Sequence, residues 1–207
     1  MLRWAHLAIF ISASALLAAV VVEATKEQEF ELYQPEQQLL DPQPISGKAP
    51  SFVLKDMVGK THSLDEFRGK WVLLVFWATW CEPCREELPH LATLAMKFSD
   101  LPFFLLMVSV DRSFEDINDM AVRLRDKADE MEFPAAWKAA GLFVTKIGPN
   151  FMTLLDPGSV TAKRYGTSMF PESYLIDPRG RLRKKFVGPK PWGMKKALSE
   201  LRGILGQ

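Results

Sequence analysis

The chain has 207 residues, with 26 Lys and Arg against 25 Asp and Glu, a net charge of +1 and 48% hydrophobic residues. That length suits one domain with extensions, and the apolar fraction excludes disorder over most of the chain. Balanced charge leaves no surplus of cations for a nucleic-acid partner, and two cysteines exclude a disulfide-dense scaffold, an all-cysteine iron–sulfur cluster and a four-cysteine zinc site.

The first segment carries Arg3 and leads into Leu7–Val22, a charge-free apolar run. At about 1.5 Å per residue the run spans roughly 24 Å, short of the ~30 Å hydrocarbon core. Val22 and Ala24 are small residues placed for cleavage after Ala24. Residues 1–24 therefore read as a secretory signal or a membrane anchor. A buried core helix is disfavoured, because only Ser12 and Ser14 break the apolar surface. No cysteine is present for lipid attachment. Either route would export the remainder to the periplasm or the outer face of the membrane, where disulfide chemistry is permitted. Residues 25–48 are rich in Glu, Gln and Pro and read as an extended linker, leaving one domain over 49–207.

Phe52–Leu54 and Thr61–Ser63 flank a turn at Met57–Lys60, which predicts an N-terminal β-hairpin. Trp71–Trp77 is continuously apolar, as in a strand buried on both faces. Pro83 opens a helix with Leu88, Leu91, Ala92, Ala95 and Phe98 at helical spacing. Phe103–Val110 reads as a second buried strand. Ser113 and Asp116 have capping-box spacing before a helix with Ile117, Met120, Ala121, Leu124, Ala128 and Met131 on one stripe. Residues 132–150 give no clear pattern and read as an insertion. Thr153–Leu155 is a short strand, Asp156-Pro157 caps a helix that stops at Gly166, and Ser173–Ile176 pairs with Arg181–Val187 across the Asp177–Gly180 turn. Met194, Ala197, Leu198, Leu201 and Leu205 line a last amphipathic helix. The order implies an α/β fold with a mixed central sheet and helices on both faces.

Trp80-Cys81-Glu82-Pro83-Cys84-Arg85 lies where the buried strand meets the helix. Unpaired N–H groups and the helix dipole stabilise a thiolate there, lowering the pKa of Cys81 from its usual ~8.5. Cys81 is the expected exposed member and Cys84 the inward one; positions i and i+3 can reach the ~5.5 Å Cα separation of a disulfide. A purely structural disulfide would close a loop too short to stabilise much. A zinc half-site lacks a second ligand pair, with His6, His62 and His90 the only histidines. Arg85 occupies the position where c-type haem attachment needs His, and no His follows His90 to complete a copper site. A redox dithiol, needing no cofactor or metal, is the remaining reading. His62 and His90 read as surface residues, as does the basic run Arg179, Arg181, Arg183, Lys184 and Lys185, with weak attraction to anionic lipid or haem propionates as its other reading. Trp77 reads as core.

From Gly69 through Trp77, Trp80, Cys81, Cys84 and Glu87 to Pro89, the sequence resembles the thioredoxin-like thiol–disulfide reductases of the TlpA/ResA/CcmG (DsbE-like) type. The resemblance spans roughly residues 49–205 and implies the thioredoxin fold. Gly166–Asp177 resembles the second signature of that family, which implies a cis bond at Phe170–Pro171 with Pro171 opposite the cysteines. The buried Asp of cytoplasmic thioredoxin is replaced here by Val75, and Glu87 stands where the family places its active-site carboxylate. The implied function is extracytoplasmic reduction of protein disulfides, with cytochrome c maturation, and hence apocytochrome c, among the family's clients. A membrane protein would supply the electrons, and a monomer is expected.

In this reading the Cys81 thiolate attacks a substrate disulfide, and Cys84 resolves the mixed disulfide after losing its proton to Glu87. Trp80, Glu82, Pro83, Phe170 and Glu172 are the expected substrate-facing residues, and the backbone beside Pro171 could pair with an extended substrate. Glu82 between the cysteines opposes a thiolate, which suits a reductant. Two other functions compete. A thiol peroxidase of the peroxiredoxin type has this fold but wants Thr three residues before its reactive Cys, and Thr79 is two before Cys81. A non-catalytic binding module would carry the dithiol as a vestige.

Overall fold

The computed structural model describes residues 40–128, 134–146 and 148–206. The apolar run at 7–22 and Met131 lie outside them. Among the described residues eight strands form one sheet: β1 Gln43–Pro44, β2 Val53–Asp56, β3 Thr61–Ser63, β4 Trp71–Trp77, β5 Phe103–Ser109, β6 Phe151–Leu155, β7 Glu172–Ile176 and β8 Leu182–Val187. The helices are α1 Glu82–Lys97, α2 Phe114–Lys127, α3 Pro134–Val144, α4 Val160–Arg164 and α5 Lys195–Leu205. The sheet order is β1-β8-β7-β4-β5-β6-β2-β3.

The two wholly apolar strands take the centre. β4 pairs in parallel with β5 from Trp71–Phe103 to Trp77–Ser109, and β5 pairs in parallel with β6. β7 runs antiparallel to β4 on its other side, then to β8. Every residue of β5 and all of β4 after Trp71 is buried, as two-sided coverage requires. The predicted mixed sheet and the β2–β3 hairpin are both present, with the hairpin joined to the sheet through β2 and β6. The Asp177–Gly180 turn is closed by the Gly180 N–H donating to the Asp177 carbonyl at 2.8 Å, with Gly180 at φ 74°, a conformation that suits glycine. Both oxygens of Asp156 accept N–H bonds from α4, at Thr161 (3.0 Å) and Ala162 (2.9 Å), as its capping role predicts.

Three features differ from the sequence reading. Residues 40–48, read as linker, belong to the domain: Leu40 is fully buried, its N–H donates to Glu200, and β1 pairs with β8. A two-residue strand has no periodicity from which to be recognised. The 132–150 stretch contains helix α3, which packs against α1 and α2. Its run of small residues weakens any amphipathic signal, and Gly141 allows close approach to α2, since a Cβ there would stand 2.9 Å from the Ala121 carbonyl oxygen. His62, read as a surface residue, is 5% exposed and held between Asp56 and Glu66, 2.9 Å from each. Burial opposes the charge on Asp56, but the hydrogen bond from His62 and the N–H groups of Lys60 and Val58 outweigh it and lower its pKa. His90 is half-buried.

Among the described residues no helix is long and apolar enough to cross a membrane, and no group of three or more His, Cys, Asp and Glu could hold a metal ion.

Candidate active site

β4 delivers the chain to the cysteine motif at the C-terminal end of this central strand, and the turn that follows is tied down before α1 begins. Buried Asp111, just after β5, accepts bonds from the Thr79 N–H at 3.0 Å, the Thr79 hydroxyl at 2.8 Å and the Ser109 hydroxyl at 2.6 Å. Arg85 reaches back from α1 and donates to the Thr79 carbonyl at 2.9 Å. The peptide units before Trp80 are thus held on both sides. Asp111 carried no sequence signal, because Thr79, the residue it ties down, lies thirty-two residues away in the chain.

Cys81 is the N-cap of α1, and its sulfur accepts the Cys84 N–H at 3.2 Å. The two cysteines form a disulfide with Cα atoms 5.3 Å apart. Both are buried in the disulfide-bonded state, Cys81 at 7% exposure and Cys84 at 1%, so Cys81, expected as the exposed member, is only the less buried of the two, because its sulfur is bonded to Cys84 and accepts the Cys84 N–H. Glu82 and Pro83 are exposed beside it, and Trp80 is 66% exposed. Trp77 lies in the core.

The peptide bond Phe170–Pro171 is cis, as the second signature implied. The loop containing it meets the cysteine loop through an edge-to-face contact of Phe170 with Trp80, centroids 5.8 Å apart. Met169 is exposed on the same loop and Pro171 is buried. Trp80 and Phe170 thus make an apolar contact across the two loops, with Trp80 directly preceding Cys81.

Glu172, expected at the substrate surface, points its carboxylate into the domain. It is 1% exposed, bound by Lys185 at 3.0 Å and by the Tyr174 hydroxyl at 2.9 Å. The cause is its place in β7, opposite Phe76 of β4 and Val187 of β8, inside the sheet. Lys185, one of the predicted basic run, is the counterion, while Arg179, Arg181 and Arg183 are exposed.

Glu87 lies one turn beyond Cys84 on α1 and is 1% exposed. Its Oε1 accepts the Lys190 N–H at 3.0 Å and the Trp192 indole N–H, while its buried Oε2 has no partner. Burial pushes its pKa up to about 8, against the stabilising N–H donors and the nearby Lys190 charge. A carboxyl with that pKa exchanges protons in the range where thiols do. Lys190 and Trp192 escaped the sequence reading because their loop lies about a hundred residues from the motif.

The AhpC/TSA family profile matches residues 45–185. The thiol–disulfide oxidoreductase ResA of Bacillus cereus is 31% identical over 159 residues, which make up 77% of this chain and 79% of that protein. ResA of Bacillus subtilis is 31% identical over 140 residues, 68% of this chain and 65% of that protein. A Chlorobium tepidum structure assigned as the thiol:disulfide interchange protein DsbE superposes with a TM-score of 0.60 at 25% identity, covering 78% of this chain and 97% of the other. A thiol–disulfide oxidoreductase from Bacteroides fragilis, 24% identical with a TM-score of 0.54 over 77% of this chain and 100% of its own, has the same fold. With a disulfide-forming Cys81–Cys84 pair at the head of α1 and these relatives, the chain belongs to the AhpC/TSA family, among the thioredoxin-fold protein-disulfide reductases of the ResA and DsbE type, which work by thiol–disulfide exchange.

Proposed function

We propose that the protein is an extracytoplasmic reductant of protein disulfides. Cys81 is the attacking thiol, Cys84 the resolving thiol and Glu87 the proton acceptor. The observation that carries this reading is the buried Glu87 carboxyl one helical turn from the inward cysteine of a helix-capping disulfide. In the reduced protein the Cys81 sulfur retains the α1 N-terminus and the Cys84 N–H as anion stabilisers. The substrate sulfur arrives over Trp80 and Phe170, with Pro171 and its backbone offering strand pairing and Glu82 and Pro83 bordering the approach. Apocytochrome c, itself a dithiol protein, fits as a client, and a membrane thiol donor would restore the reduced state. Residues 1–24 would supply the address or anchor and 25–39 a spacer, with the domain acting as a monomer.

Glu82, exposed at the first turn of α1, opposes accumulation of a thiolate at Cys81, and Arg85 spends its guanidinium on the Thr79 carbonyl. The reduced state therefore lacks the strong stabilisation that makes an oxidant. A glutathione-buffered titration should give a potential well below the roughly −120 mV of the oxidant end of this fold. A value near that end would overturn the direction of electron flow. The peroxidase reading finds no support at Thr79, whose hydroxyl is bound to Asp111.

A chain of residues 25–207 should unfold cooperatively in urea, because among the described residues one continuous core runs from Leu40 to Leu205. A broad, non-cooperative transition would show that the domain needs the N-terminal run.

A further inference from the structure

The loop Gly188-Pro-Lys-Pro-Trp-Gly193 connects β8 to α5 and contains no residue whose type announces redox chemistry. Its fit against α1 is close. Two prolines fix the backbone on either side of Lys190. A Cβ on Gly193 would stand 3.0 Å from the Thr93 Cβ and 3.3 Å from the His90 Cα, so glycine is what lets the loop lie this near the helix. Trp192 is fully buried and stacks edge-to-face on Phe186 of β8, with centroids 4.9 Å apart.

This packing aims two N–H groups at one oxygen. The Lys190 amide and the Trp192 indole both donate to Glu87 Oε1, and Oε2 is buried with no partner. An oxygen that already accepts two N–H donors cannot carry a hydrogen without turning it against them. The proton of a neutral Glu87 therefore belongs on Oε2.

We infer that Trp192, together with the Lys190 amide, is a positioning residue: it fixes Glu87 so that Oε2 alone takes the proton from Cys84, and it stabilises the carboxylate that must be present beforehand. The inference rests on the acceptor role given to Glu87 above. In the resolving step the Cys84 thiol gives its proton to Oε2. The Cys84 Sγ–Cys81 Sγ bond forms as the bond from Cys81 Sγ to the substrate sulfur breaks. The substrate leaves as a thiolate and takes a proton from water, and two electrons have passed from the dithiol to the substrate. The titratable groups at this pocket are Lys190 on the loop, whose charge favours the carboxylate, and His90 on α1. Burial disfavours the charged form of His90 and lowers its pKa below the usual imidazole value.

The test compares full-length wild type, Trp192→Phe and a protein carrying the benzothienyl analogue of tryptophan at 192, which keeps the shape of the indole without its N–H. The measurement is the pH dependence of substrate disulfide reduction by the pre-reduced protein. Loss of the donor makes the carboxylate harder to form, so the acid-side inflection should move up by about one pH unit in both variants. In a Glu87→Gln background Trp192→Phe should add nothing to the profile. An inflection unchanged in the analogue, or a shift of the same size added on Glu87→Gln, would show that Trp192 only packs and would overturn the inference. A wild-type profile in Glu87→Gln alone would instead overturn the role of Glu87 itself.

Discussion

Replacing Cys84 with serine should convert the protein into a trap for its substrates. Cys81 is the N-cap of α1 beside exposed Trp80, so in the proposed mechanism it should still attack a substrate disulfide. The resolving sulfur is gone, and an outside thiol must find the mixed disulfide by collision. Intramolecular attack by a held nucleophile corresponds to effective concentrations far above those of any free thiol, so the adduct should outlive normal turnover by at least about 1,000-fold. Cys81→Ser should trap almost nothing, because Cys84 is 1% exposed and cannot approach a folded partner. Non-reducing electrophoresis of the two variants, expressed with the native N-terminus, reads the result directly. Adducts with Cys84→Ser that are absent from Cys81→Ser support the assigned order of attack, and their identity decides whether apocytochrome c is a client. Equal trapping by both variants, or by neither, would overturn the assigned order of attack.

Glu87→Gln should separate stability from activity. The carboxyl titrates at 4.5 in the unfolded chain and at about 8 in the folded protein, where burial disfavours its charge. Between those two values the folded protein holds a proton that the unfolded chain has released. Stability therefore falls as pH rises across that window and is level on either side. The amide of Gln stays neutral throughout, and its carbonyl can accept the same two N–H bonds. Above pH 8 the variant should be more stable than wild type by on the order of 4 kcal/mol, and the two should converge below pH 4.5. Urea unfolding of the oxidised proteins at pH 5 and pH 9 measures the difference. Disulfide exchange should slow by about 100-fold, the usual size of a lost general base, and lose the inflection near pH 8. A variant that matched wild type in both unfolding series would mean that the carboxyl reaches water in solution.

Glu87 and Glu172 show how differently two acidic residues of one site could be read. Each is 1% exposed. The period of α1 placed Glu87 one turn beyond Cys84, but spacing alone equally suits a solvated helix carboxylate, and it was the family resemblance that marked it as an active-site group. Glu172 sits in β7, where the sequence shows only that it follows Pro171. Whether its carboxylate meets substrate or interior depended on Lys185, which comes from the neighbouring strand. Asp111 and Trp192 were silent for the same reason. Their meaning lies in bonds to Thr79 and Glu87, and neither composition nor spacing records a partner so far along the chain.

Local chemistry in the chain alone determined the central strands, the helix opening at the CXXC motif, the reach of Cys81 to Cys84 and the turn at Asp177–Gly180, since each depends on residues within one turn or one strand of each other. Family resemblance added the cis bond at Phe170–Pro171 and the reductase class, which the structure and the relatives bear out. Tertiary structure alone decided that residues 40–48 join the sheet, that residues 134–144 form a helix, that His62 is held inside between two carboxylates, and which oxygen of Glu87 is left free. These outcomes rest on long-range packing and on buried polar groups finding partners, and free energy of that kind is set by neighbours distant in sequence rather than by the order of residues along an element.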